Sequence, residues 1–209
     1  MIEEVWHPHA HWLQMPRAPV SQLLALRGQV RGALLARWAE NVRNHWGTDA
    51  LGQVRSALPP QMQTLPDQPE PLAWYPLGWQ LVLTETITQV CTEGELGALE
   101  PFILGDALAD LGTLQRLALR AVGLQKLLPK MPQAFFAAYA LVQQPQVTVL
   151  QTRDGATLRC VGSPLFADTT WRILSFWALR SLAQAVHKPD IDVRGAVVDG
   201  GFAFRVGVQ

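Results

Sequence analysis

The chain carries little charge and none in excess: Asp, Glu, Lys and Arg make up 16% of its 209 residues, and seventeen bases cancel seventeen acids. A balanced, weakly charged chain projects no field toward nucleic acid or an anionic membrane. No local run of Lys or Arg supplies one, so neither is expected as a partner. Cysteine is scarce too. Cys91 and Cys160 match no C-x-x-C or zinc-ligand spacing, which argues against a disulfide framework or a structural metal site and suits a reducing cytoplasm. No apolar run is long enough for a membrane span: residues 102 to 128 come nearest, and Asp106, Asp110, Arg116, Arg120 and Lys126 interrupt them. The start, MIEEVWHPHAH, lacks the basic end, apolar stretch and small-residue cleavage site of a signal peptide. Nucleotide and nucleophile motifs are missing as well. Neither Gly-x-Gly-x-x-Gly nor a phosphate loop with Gly-Lys-Ser/Thr occurs, and Ser163 stands in Gly-Ser-Pro rather than a Gly-x-Ser-x-Gly elbow. The chain is therefore read as a cytoplasmic protein that is not an enzyme and needs no cofactor.

What is present is apolar. Hydrophobic residues make up 49% of the chain and eight residues are Trp, enough wide aromatic surface to line a core, a pocket or a subunit interface. No long polar linker divides the chain, so residues 20–209 are expected to form a single domain. Residues 1–19, with three Pro, three His and no sustained period, read as an extended N-terminal arm pinned by Trp6, Trp12 and Leu13. From Ser21, apolar residues recur at spacings of three and four through Trp38, which predicts one long helix to about Trp46 with Gly47 as its stop and a short helix after it. The five prolines between Pro59 and Pro71 predict an extended loop. Trp74-Tyr75-Pro76 is expected to open the next helix, which stops near Gly94. Further helices reach Val142, the last bearing Phe135, Phe136 and Tyr139. Up to this point the chain reads as wholly helical.

After Pro145 the period drops to two. Residues 147 to 161 alternate around Asp154-Gly155, a dipeptide favoured in tight hairpins. Asp168 or Thr169 can then cap a helix carrying Ile173, Leu174, Trp177 and Leu182, which ends at His187-Lys188-Pro189. A second hairpin turns at Asp199-Gly200-Gly201, with the Phe202 face buried. The expected fold is α+β: an N-terminal helical bundle packed on a C-terminal four-stranded antiparallel sheet, β-β-α-β-β.

This plan resembles that of heme nitric-oxide-binding sensor domains and of 4-vinyl reductase small-molecule-binding domains. More closely, the chain resembles an uncharacterised family of similar length expanded in myxobacteria, through Arg27-Gly28, Trp74-Tyr75-Pro76, the run Leu127 to Pro132 with Tyr139, and the stretches Asp192 to Arg194 and Phe204 to Val206. The resemblance to the heme sensors implies a proximal His in the helix before the sheet, yet no His occurs between His45 and His187, and the Tyr-x-Ser-x-Arg propionate signature is absent. Heme would need an unconventional axial ligand such as Tyr139 or Cys160.

Trp79, Phe135, Phe136, Tyr139, Phe166 and Trp177 are the candidate lining of a small apolar pocket between helices and sheet; the plainer reading is close-packed core. Trp171 and Trp177 stand about 240° apart around a helix, so at least one is expected to meet a partner, a pocket or the N-terminal arm, and Trp171 is the interface candidate. His7, His9 and His11 would point one way in an extended segment and form a weak metal candidate, against the plainer reading of an adventitious cluster. Asp190 with Asp192, and Asp106 with Asp110, are carboxylate pairs whose plainer reading is a solvated face or a cap. The function this supports is a sensor or adaptor domain in signalling, acting through protein partners and self-associating as a homo-oligomer. The alternative is a module binding a small hydrophobic molecule, and an unconventional heme or metal protein comes third.

Overall fold

The computed structural model describes residues 4–65, 68–109, 122–143, 145–152, 155–186 and 191–207, with backbone alone at 105–109. Asp110, Arg116, Arg120, Asp154, His187, Lys188, Pro189 and Asp190, named above, lie outside the described residues. The chain gathers into two compact units, each discontinuous in sequence. The first is drawn from Met1–Arg17, Leu104–Phe136 and Gln143–Gln209, and the second from Ala18–Ile103 and Ala137–Val142.

The first unit is built on a five-stranded antiparallel sheet, order β1-β7-β8-β6-β5, from β1 (His7–Pro8), β5 (Gln146–Thr152), β6 (Gly155–Val161), β7 (Asp192–Val198) and β8 (Gly201–Gly207). Both C-terminal hairpins expected from the sequence are present, and they join through β6 and β8. The fifth strand comes from the N-terminal segment, where His7 pairs with Gly195 and Pro8 with Arg194. Instead of a purely extended arm, the chain then turns into α1 (His9–Leu13), and Trp12 is buried.

The helix expected between the hairpins is α8 (Thr169–Ala185). Asp168 caps it, its Oδ1 accepting from the Trp171 N–H at 2.8 Å, which satisfies one of the backbone donors a helix start leaves over. Alternation along β8 sends Phe202, Phe204 and Val206 to one face, and all three are buried. Phe176 of α8 lies 5.1 Å from the Phe204 ring and 6.4 Å from Phe202, both edge-on, the arrangement that aromatic quadrupoles favour. Gly195 makes room for this stack. A Cβ there would sit 2.5 Å from Phe202 Cζ and 2.8 Å from Phe176 Cζ.

The second unit is not wholly helical, and here the sequence reading needs correction. Its helices are α2 (Val20–Leu24), α3 (Gly32–Ala57), α4 (Gly78–Cys91) and the start of α5 (Glu100–Ala109), with α3 packed on α4. The single helix expected from Ser21 is interrupted by β2 (Gly28–Arg31). Trp74–Pro76 is not a helix start but β3, and Tyr139–Leu141 leaves the preceding helix to form β4. These make a second antiparallel sheet, order β3-β2-β4, pairing Val30 with Tyr75 on one side and Tyr139 on the other. Gly28 permits it: its φ is +130° and a Cβ would lie 2.8 Å from the Ala140 carbonyl oxygen, a combination open to glycine alone. Gly47 does break α3, with φ 88° and ψ 175°. Further helices among the described residues are α6 (Leu124–Leu127) and α7 (Met131–Ala138).

Gly195→Ala should cost about 1–3 kcal/mol, because the added methyl overfills a packed aromatic stack. Urea denaturation followed by tryptophan fluorescence measures it.

Candidate functional site

The residues proposed as a pocket lining divide between the two units. Trp79 and Tyr139 belong to the second, and Phe135, Phe136, Phe166 and Trp177 to the first. In the second unit Trp79 is half-buried with its ring 6.0 Å from Tyr75, and the Tyr139 hydroxyl donates to Gln80 Oε1 at 2.9 Å. In the first unit Phe135 packs 5.7 Å from Phe166, and Phe166 4.9 Å from Trp171. Phe166 and Trp177 are completely buried, whereas Phe136 is 46% exposed and lines nothing internal.

Trp171 is 3% exposed and therefore not a surface anchor. The geometry behind that expectation was sound, since Trp171 and Trp177 do leave α8 in different directions. Both are buried because α8 is covered on more than one side. Trp171 meets Phe166 and Phe204, and Trp177 meets His9 of the N-terminal segment with ring centroids 6.2 Å apart.

One charged group stands inside this aromatic layer. Arg172 donates from Nε to the Phe166 carbonyl at 2.9 Å, and its guanidinium lies 4.5 Å from the Phe202 ring centroid and 5.4 Å from that of Trp12. Burial pulls its pKa below the usual arginine value, and the Asp168 carboxylate opposes that shift. Arg172 thus joins helix start, loop and sheet through one guanidinium, a structural use that neither spacing nor hydropathy signals.

The three N-terminal histidines do not converge. Period two aligns side chains only in an extended segment, and the helix begins at His9. The His7 and His11 rings stack at 3.9 Å with planes 15° apart, while His9 packs 5.2 Å from Phe176. Among the described residues no group of three or more His, Cys, Asp or Glu side chains could share a metal ion. Asp192 accepts from Arg194 Nε at 2.8 Å in a solvent-exposed ion pair. Asp190, Asp110 and the Asp106 side chain lie outside the described residues. Cys160 is buried on β6 and its thiol is pushed up to about 12 by desolvation, so it stays protonated at neutral pH.

The second unit holds an apolar cavity of about 20 Å³, walled by side chains such as Leu35, Val42, Val54, Leu83 and Ile87. That is room for about one water, far below the several hundred Å³ of a ligand pocket.

No protein-family model matches the chain, and no curated protein matches it. Seven chains among solved structures do. One is the Fe(II) unliganded H-NOX protein from K. algicida, with a TM-score of 0.55 and 11% identity over 86% of this chain and 96% of that one. A single-substitution mutant of the same protein matches equally. At that identity the likeness is one of fold: an α+β arrangement with an antiparallel sheet, shared along most of both chains. No helix among the described residues is long and apolar enough to cross a membrane.

The residues present do not fit the heme that this resemblance implies. No His stands between His45 and His187. The alternative axial ligands are otherwise engaged, Tyr139 in its hydrogen bond to Gln80 and Cys160 as a buried, protonated thiol. Gly28, Trp74-Tyr75-Pro76 and Tyr139 all fall in the three-stranded sheet, where the Arg31 guanidinium lies 3.9 Å from the Trp74 ring centroid and the Tyr75 hydroxyl accepts from the Glu70 N–H at 3.1 Å.

His9 gives this region a pH dependence. Burial, aided by the positive charge of Arg180, lowers its pKa from 6.5 to about 4. The unfolded chain takes up a proton that the folded protein resists, so this contribution is whole above pH 6.5 and is lost as pH falls from 6.5 toward 4. The urea midpoint should decline across that window, and His9→Leu should remove that part of the decline.

Proposed function

We propose that this chain is a non-enzymatic sensor or adaptor domain that works by contact with other proteins, including a second copy of itself. Support comes first from what is filled. Beneath the large sheet Phe166, Phe176, Trp177, Phe202 and Phe204 are each 0% exposed, so the space that a ligand would occupy there holds rings. The alternative is a module for a small hydrophobic ligand; the cavity described in the second unit is itself water-sized. The H-NOX-like fold favours a sensing role without fixing the signal. Kinship with the myxobacterial family, and through it with 4-vinyl reductase domains, is part of this proposal and rests on the short motifs already named.

The observation that carries self-association is the position of β5 at the end of the strand order. β5 stands last in the strand order, paired only with β6 among the described residues. Its sequence, Gln-Val-Thr-Val-Leu-Gln-Thr, contains no charge and no proline, and Leu150 is 65% exposed. An edge strand offers a row of backbone donors and acceptors to any strand that comes alongside, and edges that must stay single are generally blunted by Lys, Pro or a bulge. Two β5 strands related by a twofold axis can pair antiparallel, extending the sheet across the copies.

Light scattering tests the reading. The wild-type chain should have the mass of two subunits, and Leu150→Lys, which places a like charge on both edges, should have the mass of one with an unchanged circular dichroism spectrum. A monomeric wild type would overturn it.

A further inference from the structure

We infer that the face of the five-stranded sheet opposite α8 docks an acidic segment of a partner protein through its exposed Arg159, Arg194 and Arg205. The inference rests on the adaptor reading and names the chemistry of one partner.

Register puts the three arginines on one face. Arg194 and Arg205 are direct cross-strand partners on β7 and β8. Arg159 on β6 faces Ala203, which precedes Arg205 by two residues on β8 and so shares its side of the sheet. This is the face opposite α8, because Phe202 and Phe204 alternate with Ala203 and Arg205. All three arginines are exposed, whereas Ala196 and Ala203, paired beside them, are buried, so it is the guanidinium groups that stand out from this face.

Placing like charges directly across two strands, with Cβ atoms about 5 Å apart, destabilises a sheet. Nothing in the fold demands it here, since any neutral residue could occupy an exposed sheet position. Among the described strand residues of this face, Asp192 is the only acid, and it pairs with Arg194 alone. Arg205 rests on the Trp6 ring, 4.5 Å from its centroid, which orders the guanidinium without neutralising it. The face therefore has an excess of positive charge within a protein whose net charge is zero. Guanidinium groups fixed on a rigid sheet present planar forks suited to carboxylates.

A single-stranded nucleic acid is the competing polyanion. Binding it on a sheet calls for exposed aromatic rings on which bases stack. Trp6 is the one ring observed beside these arginines, and Arg205 already lies over it. Carboxylates need no such platform, so the face suits an Asp/Glu-rich peptide better.

Fluorescence anisotropy of the full chain with a labelled oligoglutamate peptide at low salt should show saturable binding that weakens as salt is added. The double variant Arg159→Ala with Arg205→Ala should lower the affinity about tenfold through the loss of two charge-assisted contacts. Removing equal charge elsewhere, with Arg27→Ala and Lys130→Ala, should leave it unchanged. Asp192→Asn, which releases Arg194, should tighten binding, a gain that impaired folding could not mimic. Absence of binding by the wild type, equal losses in both double variants, no gain in Asp192→Asn, or tighter binding of an oligothymidylate would each overturn the inference. Subunit mass read by light scattering on the same samples should match wild type throughout, which separates failure of this face from failure of the adaptor reading.

Discussion

The first unit depends on one packing contact, in which Phe176 of α8 settles edge-on against Phe202 and Phe204 over the gap that Gly195 leaves in β7. Helix and sheet come close enough for ring contact only because the residue beneath the rings has no side chain. The cap at Asp168 and the buried guanidinium of Arg172 both fix the start of α8, the end from which Phe176 reaches the sheet. Such a layer is filled to the density of a crystal, and small changes in volume within it are felt.

Filling the inner face changes where function can reside. A sheet whose α8 side is filled with rings has two other resources: its edge strand β5 and its opposite face. The edge strand β5 carries an exposed leucine, and the face opposite α8 carries arginines set closer than stability favours. Each is a departure from the local rules of a well-behaved β-sheet, and such departures are where a binding role is sought. The resemblance to H-NOX structures is then one of scaffold.

The C-terminal third was legible in the sequence because its signals are local. Strands of seven residues alternate cleanly and glycine-rich turns separate them, and Asp168 stands where a helix needs a cap. The three-stranded sheet was not legible. Its strands are only three or four residues long, too short for a period, and their partners lie far away in sequence: Val30 meets Tyr75 and Tyr139. The apolar residues around Gly28 happened to keep helical spacing, so pattern favoured a helix where tertiary pairing imposed a strand. The site residues divided for a similar reason. An aromatic residue has the same apolar character in a core, a pocket or an interface, and only its neighbours tell these apart. The arginine face was hidden for a different reason, because Arg159, Arg194 and Arg205 are adjacent only through strand pairing and form no cluster along the chain.

The central claim is that this protein works with its surface and keeps its interior for packing. Native mass spectrometry of protein purified without detergent tests that most directly. The account predicts masses that are whole multiples of the bare polypeptide; a lipid, hydrocarbon or porphyrin retained in fixed proportion to the chain would contradict it.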